Sequence, residues 1–462
     1  MAELVEPQVS RYPAYKPTGV EWMPEIPVGW EVKKLKFVAT INPSRDSLKL
    51  DESAEAVVFL PMEAVGEDGS FRQDTFKALA DVQSGYTYFE QNDVLLAKIT
   101  PCFENGKATV LTNLVTPVGF GSTEFHVIRP KHDLTISRFL FYTVKSELFL
   151  RLGEGVMVGS AGQKRVPTDF LTEFPLPVPS IEEQRAITAF LDDKTAQLDQ
   201  LITQKRQMLE LLREERAALI NHAVTKGLDA AAPLRDSGVE WLGEVPAYWE
   251  VKQLKHLLVN LEQGWSPSCE SRPAEPEEWG VLKVGCVNGL DFDPTENKAL
   301  PSELTPLPEY EINPGDFLIS RANTKELVGS AVVVGEVRPK LLLCDKIFRL
   351  FFRENANKEY VLLIISSWYG RFQIQSESSG ASSSMQNISQ EFLKNMLILL
   401  PSRHEQQTIV DHVAEQTSRI LETADTINQE IALLQEYRAA LIAEAVTGQL
   451  DVRHYTPAAV LR

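Results

Sequence analysis

The sequence predicts an α+β tandem repeat, in which two similar mixed α/β domains are joined by two long antiparallel coiled-coil helices in a pseudo-twofold arrangement. Three observations lead to this prediction. A long amphipathic segment occurs twice, displaced by 222 positions. A tryptophan-containing segment precedes each domain, and the order of strand-like and helix-like segments between the two kinds of repeat is the same in both halves. Self-similarity at a fixed displacement is the mark of a duplicated chain.

The first long helix is predicted over residues 179–229. Ser180 can cap the backbone N–H of Glu183 while the Glu183 side chain returns to Ser180, which is a capping box, and Gly227 supplies a C-terminal stop. At a rise of about 1.5 Å per residue the helix would span roughly 65–70 Å. Its apolar residues recur at alternating three- and four-residue steps, as in a coiled-coil seam. The predicted seam consists of Ile187, Leu191, Leu198, Leu201, Met208, Leu212 and Leu219.

The second long helix is predicted over residues 401–451. Ser402 and Glu405 repeat the capping box, and the endings ERAALINHAVTKGLD and EYRAALIAEAVTGQLD are nearly the same. If the two seams pair, the second helix runs back antiparallel to the first, which gives a rod with one domain near each end. The second predicted seam consists of Ile409, Val413, Ile420, Leu434 and Leu441.

A short anchoring segment opens each domain. Residues 18–36, TGVEWMPEIPVGWEVKKLK, reappear at 237–255 as SGVEWLGEVPAYWEVKQLK. A prolyl turn between two tryptophans, followed by an amphipathic run, favours a structural lid on the domain core over a binding site.

The two domains are predicted over residues 1–178 and 230–400, and residues 452–462 form a C-terminal tail. Their predicted elements correspond at displacements of 219–223, although the interior sequences barely agree. Asp93/Asp316 and Gly106/Gly329 are the matching positions inside the domains. The predicted strands are 56–65, 93–99, 107–112 and 124–130 in the first domain and 281–287, 316–322, 330–337 and 346–352 in the second, followed by helical stretches at 136–154 and 359–375.

The anchors and the long helices are retained in both halves, whereas the sequences inside the two domains differ. This pattern indicates two recognition domains of different specificity. Drift of solvent-exposed loops is the competing explanation.

Composition and charge exclude several classes of protein. The four cysteines lie far apart without a CxxC spacing, which favours reduced thiols in the cytoplasm over disulfides or a zinc site. No apolar run is long enough to cross a bilayer, so no membrane association is expected. The net charge of −18 is spread evenly, with 18 basic and 23 acidic groups in residues 1–180 and 16 and 23 in residues 230–400. Because a DNA-binding protein usually has a basic footprint, binding by this chain alone should be weak.

Motifs for catalysis are missing from the sequence. GKAT at 106–109 lacks the upstream glycine and the Ser/Thr of a P-loop. Neither an amino-methyltransferase Asn/Asp-Pro-Pro-Tyr/Phe motif nor HExxH is present, and DVLLAKI lacks the second acid of a restriction-type nuclease. We therefore expect no catalytic residue, no metal and no cofactor on this chain.

Polar turns are the candidates for binding. One set follows the strand at 93–99 and its counterpart, and another lies in the loops 158–167 and 379–389, before each capping box. Arg and Lys read guanine, and Asn and Gln read adenine, in the major groove; a solvated turn is the competing interpretation for each residue. The candidate DNA contacts are Lys98, Thr100, Lys107, Gln163, Lys164, Arg165, Arg321, Asn323, Lys325, Gln386 and Asn387.

The repeated WxxxxPxxWExxxLK anchor, the LPxPSxxEQxxI helix entry and the ERAALIxxAVTxxLD helix ending resemble the specificity (S) subunits of type I restriction–modification enzymes. The resemblance covers nearly the whole chain. It implies that the two domains are target-recognition domains, each reading one half of a bipartite site in double-stranded DNA, and that the helices set the gap.

The resemblance also implies which partners supply the chemistry. Modification subunits, two for each chain, would carry S-adenosylmethionine and methylate adenine, and the presence of an ATP-dependent restriction subunit is left open. Helix surfaces outside the seam, including Gln184 and Gln406, are expected to dock the modification subunits. The alternatives are a coiled-coil protein-binding scaffold without a nucleic-acid role and a solitary methyltransferase.

Overall fold

The computed structural model describes residues 10–45, 56–160, 162–289, 291–377, 379–382 and 385–456. The predicted tail therefore lies outside the described residues beyond residue 456, as does Ala161 of the loop at 158–167. The chain forms two compact units, the first comprising residues 1–205 and 428–462 and the second residues 206–427. Each unit holds one domain and one half of each long helix.

The domain of the first unit is built from short strands and short helices. A 3₁₀ turn, Met62–Ala64, follows its fifth strand. Its elements are β1 Tyr15–Val20, β2 Met23–Pro27, β3 Glu31–Lys34, α1 Leu35–Val38, β4 Ala39–Ile41, β5 Ala56–Leu60, β6 Phe76–Ala78, α2 Leu79–Val82, β7 Thr87–Glu90, β8 Val94–Ala97, β9 Ala108–Val110, β10 Val118–Gly121, β11 Phe125–Pro130, α3 Ser137–Lys145, α4 Glu147–Glu154, α5 Thr168–Glu173 and β12 Pro175–Val178.

Two four-stranded sheets form the framework of this domain. One has the order β4-β11-β8-β9 with antiparallel pairing throughout. The other has the order β6-β5-β10-β7, in which β5 and β10 are parallel. The anchor strands β1 and β2 pair with each other, and β3 pairs with β12 just before the long helix.

The first long helix, α6, spans Ile181–Lys226 and continues into the second unit. The second unit has 3₁₀ turns at Leu254–His256, Val284–Val287 and Pro308–Tyr310. Its other elements are β13 Leu234–Asp236, β14 Glu244–Pro246, β15 Glu250–Gln253, β16 Leu258–Gln263, β17 Gly280–Leu282, β18 Asn297–Ala299, β19 Phe317–Ser320, β20 Ala322–Asn323, β21 Ala331–Val333, β22 Leu341–Leu342, β23 Ile347–Phe352, α7 Lys358–Ser366, α8 Trp368–Glu377, β24 Ser379–Ser382, β25 Met385–Asn387, α9 Gln390–Asn395, β26 Leu397–Leu400 and α10 Arg403–Val446.

The second domain repeats the topology of the first. The sheet β16-β23-β19-β21 corresponds to β4-β11-β8-β9, and β18-β17-β22, with parallel β17 and β22, corresponds to β6-β5-β10. The pairs β13–β14 and β15–β26 correspond to β1–β2 and β3–β12. The α+β tandem repeat with two long helices is therefore confirmed.

The helices pair antiparallel within each unit. In the first unit, Ile187 and Leu191 near the start of α6 share a core with Leu441 and Ile442 near the end of α10. In the second unit, residues near the end of α6 share a core with residues near the start of α10, namely Ile220, Val224, Ile409 and Val413.

The seam is buried mainly where a domain packs against it. Leu212, Leu219, Ile420 and Leu434 are only half-buried, and Met208 is 49% exposed, so its place in the seam was wrong. Buried positions that the seam prediction missed are Ile202, Ile220, Ile427 and Ile431.

The ends of the helices contact the anchors. Trp30 and Trp249 are each 1% exposed, which fits the structural lid. Gly227 has φ +76° as predicted for a helix stop, and a Cβ there would lie 3.2 Å from the Trp249 ring. Gly448 ends α10 in the same way, against Trp30.

One half of each predicted capping box is present. Ser180 and Ser402 accept hydrogen bonds from the N–H groups of Glu183 and Glu405, each at 3.2 Å. The Glu183 carboxylate accepts a hydrogen bond from the Tyr12 hydroxyl at 2.6 Å instead of returning to its cap, and Glu405 accepts one from the Trp249 indole at 3.1 Å. Glu405 therefore ties the start of α10 to its anchor, and Glu183 ties the start of α6 to Tyr12, which precedes the first anchor.

The expectation that Gln184 and Gln406 dock partner subunits was wrong. Their side chains are 0% and 1% exposed, and they fix each helix to its own domain. Gln184 donates to the carbonyls of Leu134 and Pro179 and accepts from the Ile136 N–H at 3.0 Å. Gln406 donates to the Pro401 carbonyl and accepts from the Asn357 N–H at 2.8 Å.

Several predicted elements are shorter in the structure. The stretches 136–154 and 359–375 each divide into two helices, because Ser146 and Ser367 leave the helical conformation and cap α4 and α8 through their hydroxyls. The predicted strands 56–65 and 281–287 end in 3₁₀ turns, the first beginning after Pro61.

The strand β10 was not predicted because its sequence, VGFG, has low strand propensity. Its glycines are needed by the packing. A Cβ on Gly119 would clash with the Phe89 ring, and one on Gly121 would lie 2.6 Å from the Leu60 carbonyl oxygen.

We predict that Gln184→Ala lowers the free energy of unfolding by about 2 kcal/mol, because it leaves several buried polar groups without a partner. Urea unfolding of the purified chain measures the change. The matched control is Gln204→Ala, an exposed position on the same helix, which should change stability by less than about 0.5 kcal/mol. Equal losses in the two variants would contradict the anchoring role.

Candidate nucleic-acid interface

The structure brings the two predicted groups of the first domain together. Past the end of β8, the Thr100 N–H donates to the Lys164 carbonyl at 3.0 Å, and the Val166 N–H donates to the Lys98 carbonyl at 2.9 Å. Ile99 and Arg165 form an antiparallel bridge between these segments. Lys98, Thr100 and Gln163–Arg165 thus form one polar surface, which we call the first cluster.

The second domain builds the same surface with different residues. β20 pairs with β25 in a register that places Ala322 opposite Asn387 and Asn323 opposite Gln386. The Ile388 N–H donates to the Arg321 carbonyl at 3.0 Å, which repeats the bond from Val166 to Lys98. The second cluster consists of Arg321, Asn323, Lys325, Gln386 and Asn387.

The matching residues of the domain interiors position these segments. The carboxylates of Asp93 and Asp316 accept hydrogen bonds from the N–H groups of Glu90 and Asn313, at 2.8 and 3.0 Å, and so close the turns before β8 and β19. Gly106 and Gly329 have φ +64° and +74° at the turns that return the chain to β9 and β21. Non-glycine residues rarely adopt this backbone conformation.

An ion pair between an arginine and the matching aspartate stabilises each domain. Arg129 binds the buried Asp93 at 2.8 Å, and Arg349 binds Asp316 at 3.1 Å. The two arginines are 220 positions apart, but the strand registers do not equate them, since Arg349 lies opposite Leu318 whereas Val127 lies opposite Leu95. Each domain therefore pairs its matching aspartate with an arginine from a different register position.

Charges within the first cluster are partly satisfied. Arg165 forms a bidentate ion pair with Glu124, with Nη2–Oε1 and Nε–Oε2 distances of 2.8 and 2.9 Å. The hydrogen bonds from Arg165 hold the pKa of Glu124 below its ordinary value. Gln163 and Lys164 are exposed at the tip of the loop.

Behind Glu124 lies the buried His126. Its Nε2 is 2.9 Å from the Val166 carbonyl oxygen, and since a carbonyl only accepts, Nε2 carries the proton. Burial lowers the pKa of His126. The neutral ring therefore helps to hold the loop in place.

The side chains of Thr100 and Lys107 form hydrogen bonds with other residues of the first domain. The Thr100 hydroxyl lies 3.2 Å from a Glu104 carboxylate oxygen, and the Lys107 ammonium donates to the Met62 carbonyl at 3.2 Å. The structure does not bring the Lys107 side chain into the first cluster, and its role in DNA contact stays a prediction.

The second cluster differs at equivalent positions. The backbone N–H of Lys98 donates to the Glu124 carbonyl, and the backbone N–H of Arg321 donates to the Lys346 carbonyl. A lysine therefore stands in the second domain where the first has a glutamate. Asn387 likewise stands where the first domain has Arg165. The Asn323 side chain donates to Asn288 at 2.7 Å, and Lys325 is exposed. The two surfaces share a main-chain frame and present different donors and acceptors.

Glu124, Asn288 and Lys346 were missed by sequence reasoning. The constant displacement of about 222 already pairs Glu124 with Lys346, and that pairing was the available signal. Asn288 follows a 3₁₀ turn that looked like the end of a strand, and nothing in the sequence marks it.

Among the residues that the structure describes, no group of three or more His, Cys, Asp or Glu side chains could hold a metal ion. None of the described helices combines the length and the apolar character that a membrane span requires.

Comparison with known proteins places the chain among relatives. Residues 27–211 match the family described as type I restriction modification DNA specificity domain. The chain is 29% identical to the Type I restriction enzyme EcoEI specificity subunit of Escherichia coli, over 92% of this chain and 82% of that one. It is 40% identical to the EcoAI specificity subunit of Escherichia coli, over 40% of this chain and 31% of that one.

Two solved structures share the fold. One belongs to a study of complex assembly and conformational transition of the type I R-M system, with a TM-score of 0.71, 18% identity, and coverage of 91% of this chain and 98% of that one. The other is the HsdS subunit from Thermoanaerobacter tengcongensis, with a TM-score of 0.54, 18% identity, and coverage of 92% and 98%. The resemblance found in the sequence is therefore confirmed: residues 27–211 match the type I restriction modification DNA specificity domain, and most of the chain is similar to a type I restriction enzyme specificity subunit.

Proposed function

We propose that this chain is the non-catalytic DNA-specificity subunit of a type I restriction–modification complex. Each domain reads one half of a bipartite site in double-stranded DNA, and the two long helices fix the gap between the halves. The observation that carries the proposal is the pair of clusters. Their main-chain hydrogen bonds are equivalent, whereas Lys98 and Arg165 in one stand against Arg321 and Asn387 in the other, and the neighbouring Glu124 stands against Lys346.

The difference in side chains suits two unlike half-sites. Arginine and lysine donate to the N7 and O6 acceptors of guanine, and the amides of asparagine and glutamine can both donate to and accept from adenine. The first cluster offers mainly cationic donors, and the second combines cations with the amides of Asn323, Gln386 and Asn387. The half-sites should therefore differ in their base pattern.

Partner subunits supply the chemistry in this proposal. Two modification subunits bind each chain, carry S-adenosylmethionine and methylate adenine, and this chain itself holds no cofactor. An ATP-dependent restriction subunit belongs to the complex where the system also cleaves DNA. The complex works in the cytoplasm, where its DNA substrate is found.

The docking surface lies on the helix faces away from the domains. Since Gln184 and Gln406 are buried, we assign docking to exposed apolar residues further along the helices. Met208, Leu211 and Leu421 in the second unit are 49%, 62% and 44% exposed, and Leu433 and Tyr437 in the first unit are 63% and 49% exposed. Apolar side chains that adjoin one another on a surface mark places that a partner covers, and Met208 and Leu211 are neighbours on one face of α6 because they are three residues apart.

We predict that the chain, combined with its modification subunits, retains DNA in a sequence-specific manner. Exchanging residues 40–170 for the corresponding domain of another specificity subunit should then change one half-site only. Mapping methylated adenines in cells with either chain measures both half-sites. Changes in both half-sites would contradict modular reading, and a complex without sequence-specific retention would favour the protein-binding scaffold.

Glu124 positions Arg165, and Glu124→Gln tests that role. The pKa of Glu124 is lower in the fold than in the unfolded chain, so the stabilisation is present above about pH 4.3 and is lost as the pH falls through the folded pKa. At pH 7 we expect a loss of at most about 1 kcal/mol, since the pair is partly exposed. Discrimination at the first half-site should fall, and discrimination at the second should stay unchanged.

Thermal unfolding between pH 3 and pH 7, together with DNA-binding competition, measures both effects. The matched control is Glu154→Gln, an exposed carboxylate on α4. A difference from wild type that persists unchanged at pH 3, or an equal loss at both half-sites, would contradict the positioning role.

A further inference from the structure

A polar groove lies beside the second cluster. Its volume is about 590 Å³, and its polar lining includes Lys283, Asn288, Glu296, Lys298, Asp345 and Lys346. Its described lining has three lysines and two carboxylates, an excess of one positive charge in a chain whose net charge is −18.

The carboxylates of this groove are already engaged. Glu296 binds Lys283, with an Oε2–Nζ distance of 3.1 Å, and the Asp345 carboxylate accepts a hydrogen bond from the Ser266 hydroxyl. Lys298 and Lys346 are exposed, and within the described residues neither takes part in an ion pair. Lys283 thus offsets Glu296, whereas Lys298 and Lys346 together outweigh the single charge of Asp345 and present two ammonium groups to an anionic ligand.

The groove is continuous with the second cluster. The Lys346 carbonyl accepts a hydrogen bond from the Arg321 N–H at 2.7 Å, and the Asn288 side chain accepts one from Asn323 at 2.7 Å. A duplex whose base edges meet Arg321 and Asn323 would therefore pass its sugar–phosphate backbone close to this groove.

The first domain has a polar groove beside its own cluster, where Lys98 is one of the lining residues. Its volume is about 470 Å³, Arg45 and Lys98 line it, and none of its described lining residues is a carboxylate. The nearby Glu124 is bound by Arg165 at 2.8 Å. Both domains thus place at least one cation beside a cluster and bind a neighbouring carboxylate internally.

We propose that Lys298 and Lys346 bind phosphate groups of the DNA backbone beside the bases that the second cluster reads, and that Arg45 does so beside the first cluster. The ligand is the phosphodiester backbone of duplex DNA. The inference rests on the proposed function and extends it, because it separates residues that hold the backbone from residues that read bases. Phosphate contacts position a protein on the duplex without carrying sequence information.

The test is the salt dependence of DNA binding by the complete chain with its modification subunits. Each phosphate contact contributes about 0.9 to the slope of log K against log salt for duplex DNA. The double variant Lys298→Gln/Lys346→Gln should lower the magnitude of the slope by about 1–2 and weaken binding to specific and unrelated duplexes alike. Fluorescence anisotropy over a series of KCl concentrations measures both quantities.

A control with the same change in net charge is Lys252→Gln/Lys340→Gln. Both lysines already form ion pairs, Lys252 with Glu250 and Lys340 with Glu277. Lys340 also lies before β22, whereas Lys346 of the groove lies after it. The control should keep the wild-type slope. An unchanged salt slope in the groove variant, or an equal change of slope in the control, overturns the inference about the phosphate contacts. The proposed function is judged separately, and it is upheld if the wild-type complex retains DNA in a sequence-specific manner. A wild-type complex without that retention overturns the proposed function itself.

Discussion

Two main-chain hydrogen bonds at one residue determine the geometry of each cluster. The N–H of Lys98 donates to the Glu124 carbonyl, and the carbonyl of Lys98 accepts a hydrogen bond from the Val166 N–H. Arg321 makes the equivalent bonds, to the Lys346 carbonyl and from the Ile388 N–H. Because backbone groups alone form this frame, the side chains around it can vary without loss of the fold. A duplicated protein can in this way keep one architecture and acquire two unlike recognition surfaces.

The parts of the fold that were predictable from the sequence are those determined by local chemistry. Ser180 and Ser402 mark the helix starts, Gly227 marks a helix end, and the repeated anchors align the two halves. Elements that depend on distant neighbours were not predictable. The glycines of β10 disguise a strand whose close packing against Phe89 requires them, and the hydroxyls of Ser146 and Ser367 divide stretches that read as continuous helices.

For the candidate site, the sequence identified the polar segments but not the state of their side chains. It placed Lys98 and Gln163–Arg165 in separate turns, and only the tertiary structure shows that these turns pair. Whether a charge is available depends on its partner: Arg165 is bound by Glu124, whereas Lys346 at the position equivalent to Glu124 is exposed. For Gln184 the sequence predicted an available side chain, but the first domain covers this part of α6. The buried amide instead fixes the helix to the domain.

The composition of the two units has a consequence for synthesis of the protein. The second unit is a continuous stretch of chain, residues 206–427, whereas the first combines residues up to 205 with residues 428 onward. Ser10 and Asp451 meet in an antiparallel bridge, so the first domain to leave the ribosome completes its packing after the second one. Contacts between such remote segments close slowly, which makes the earlier domain the one that depends longer on protection from aggregation.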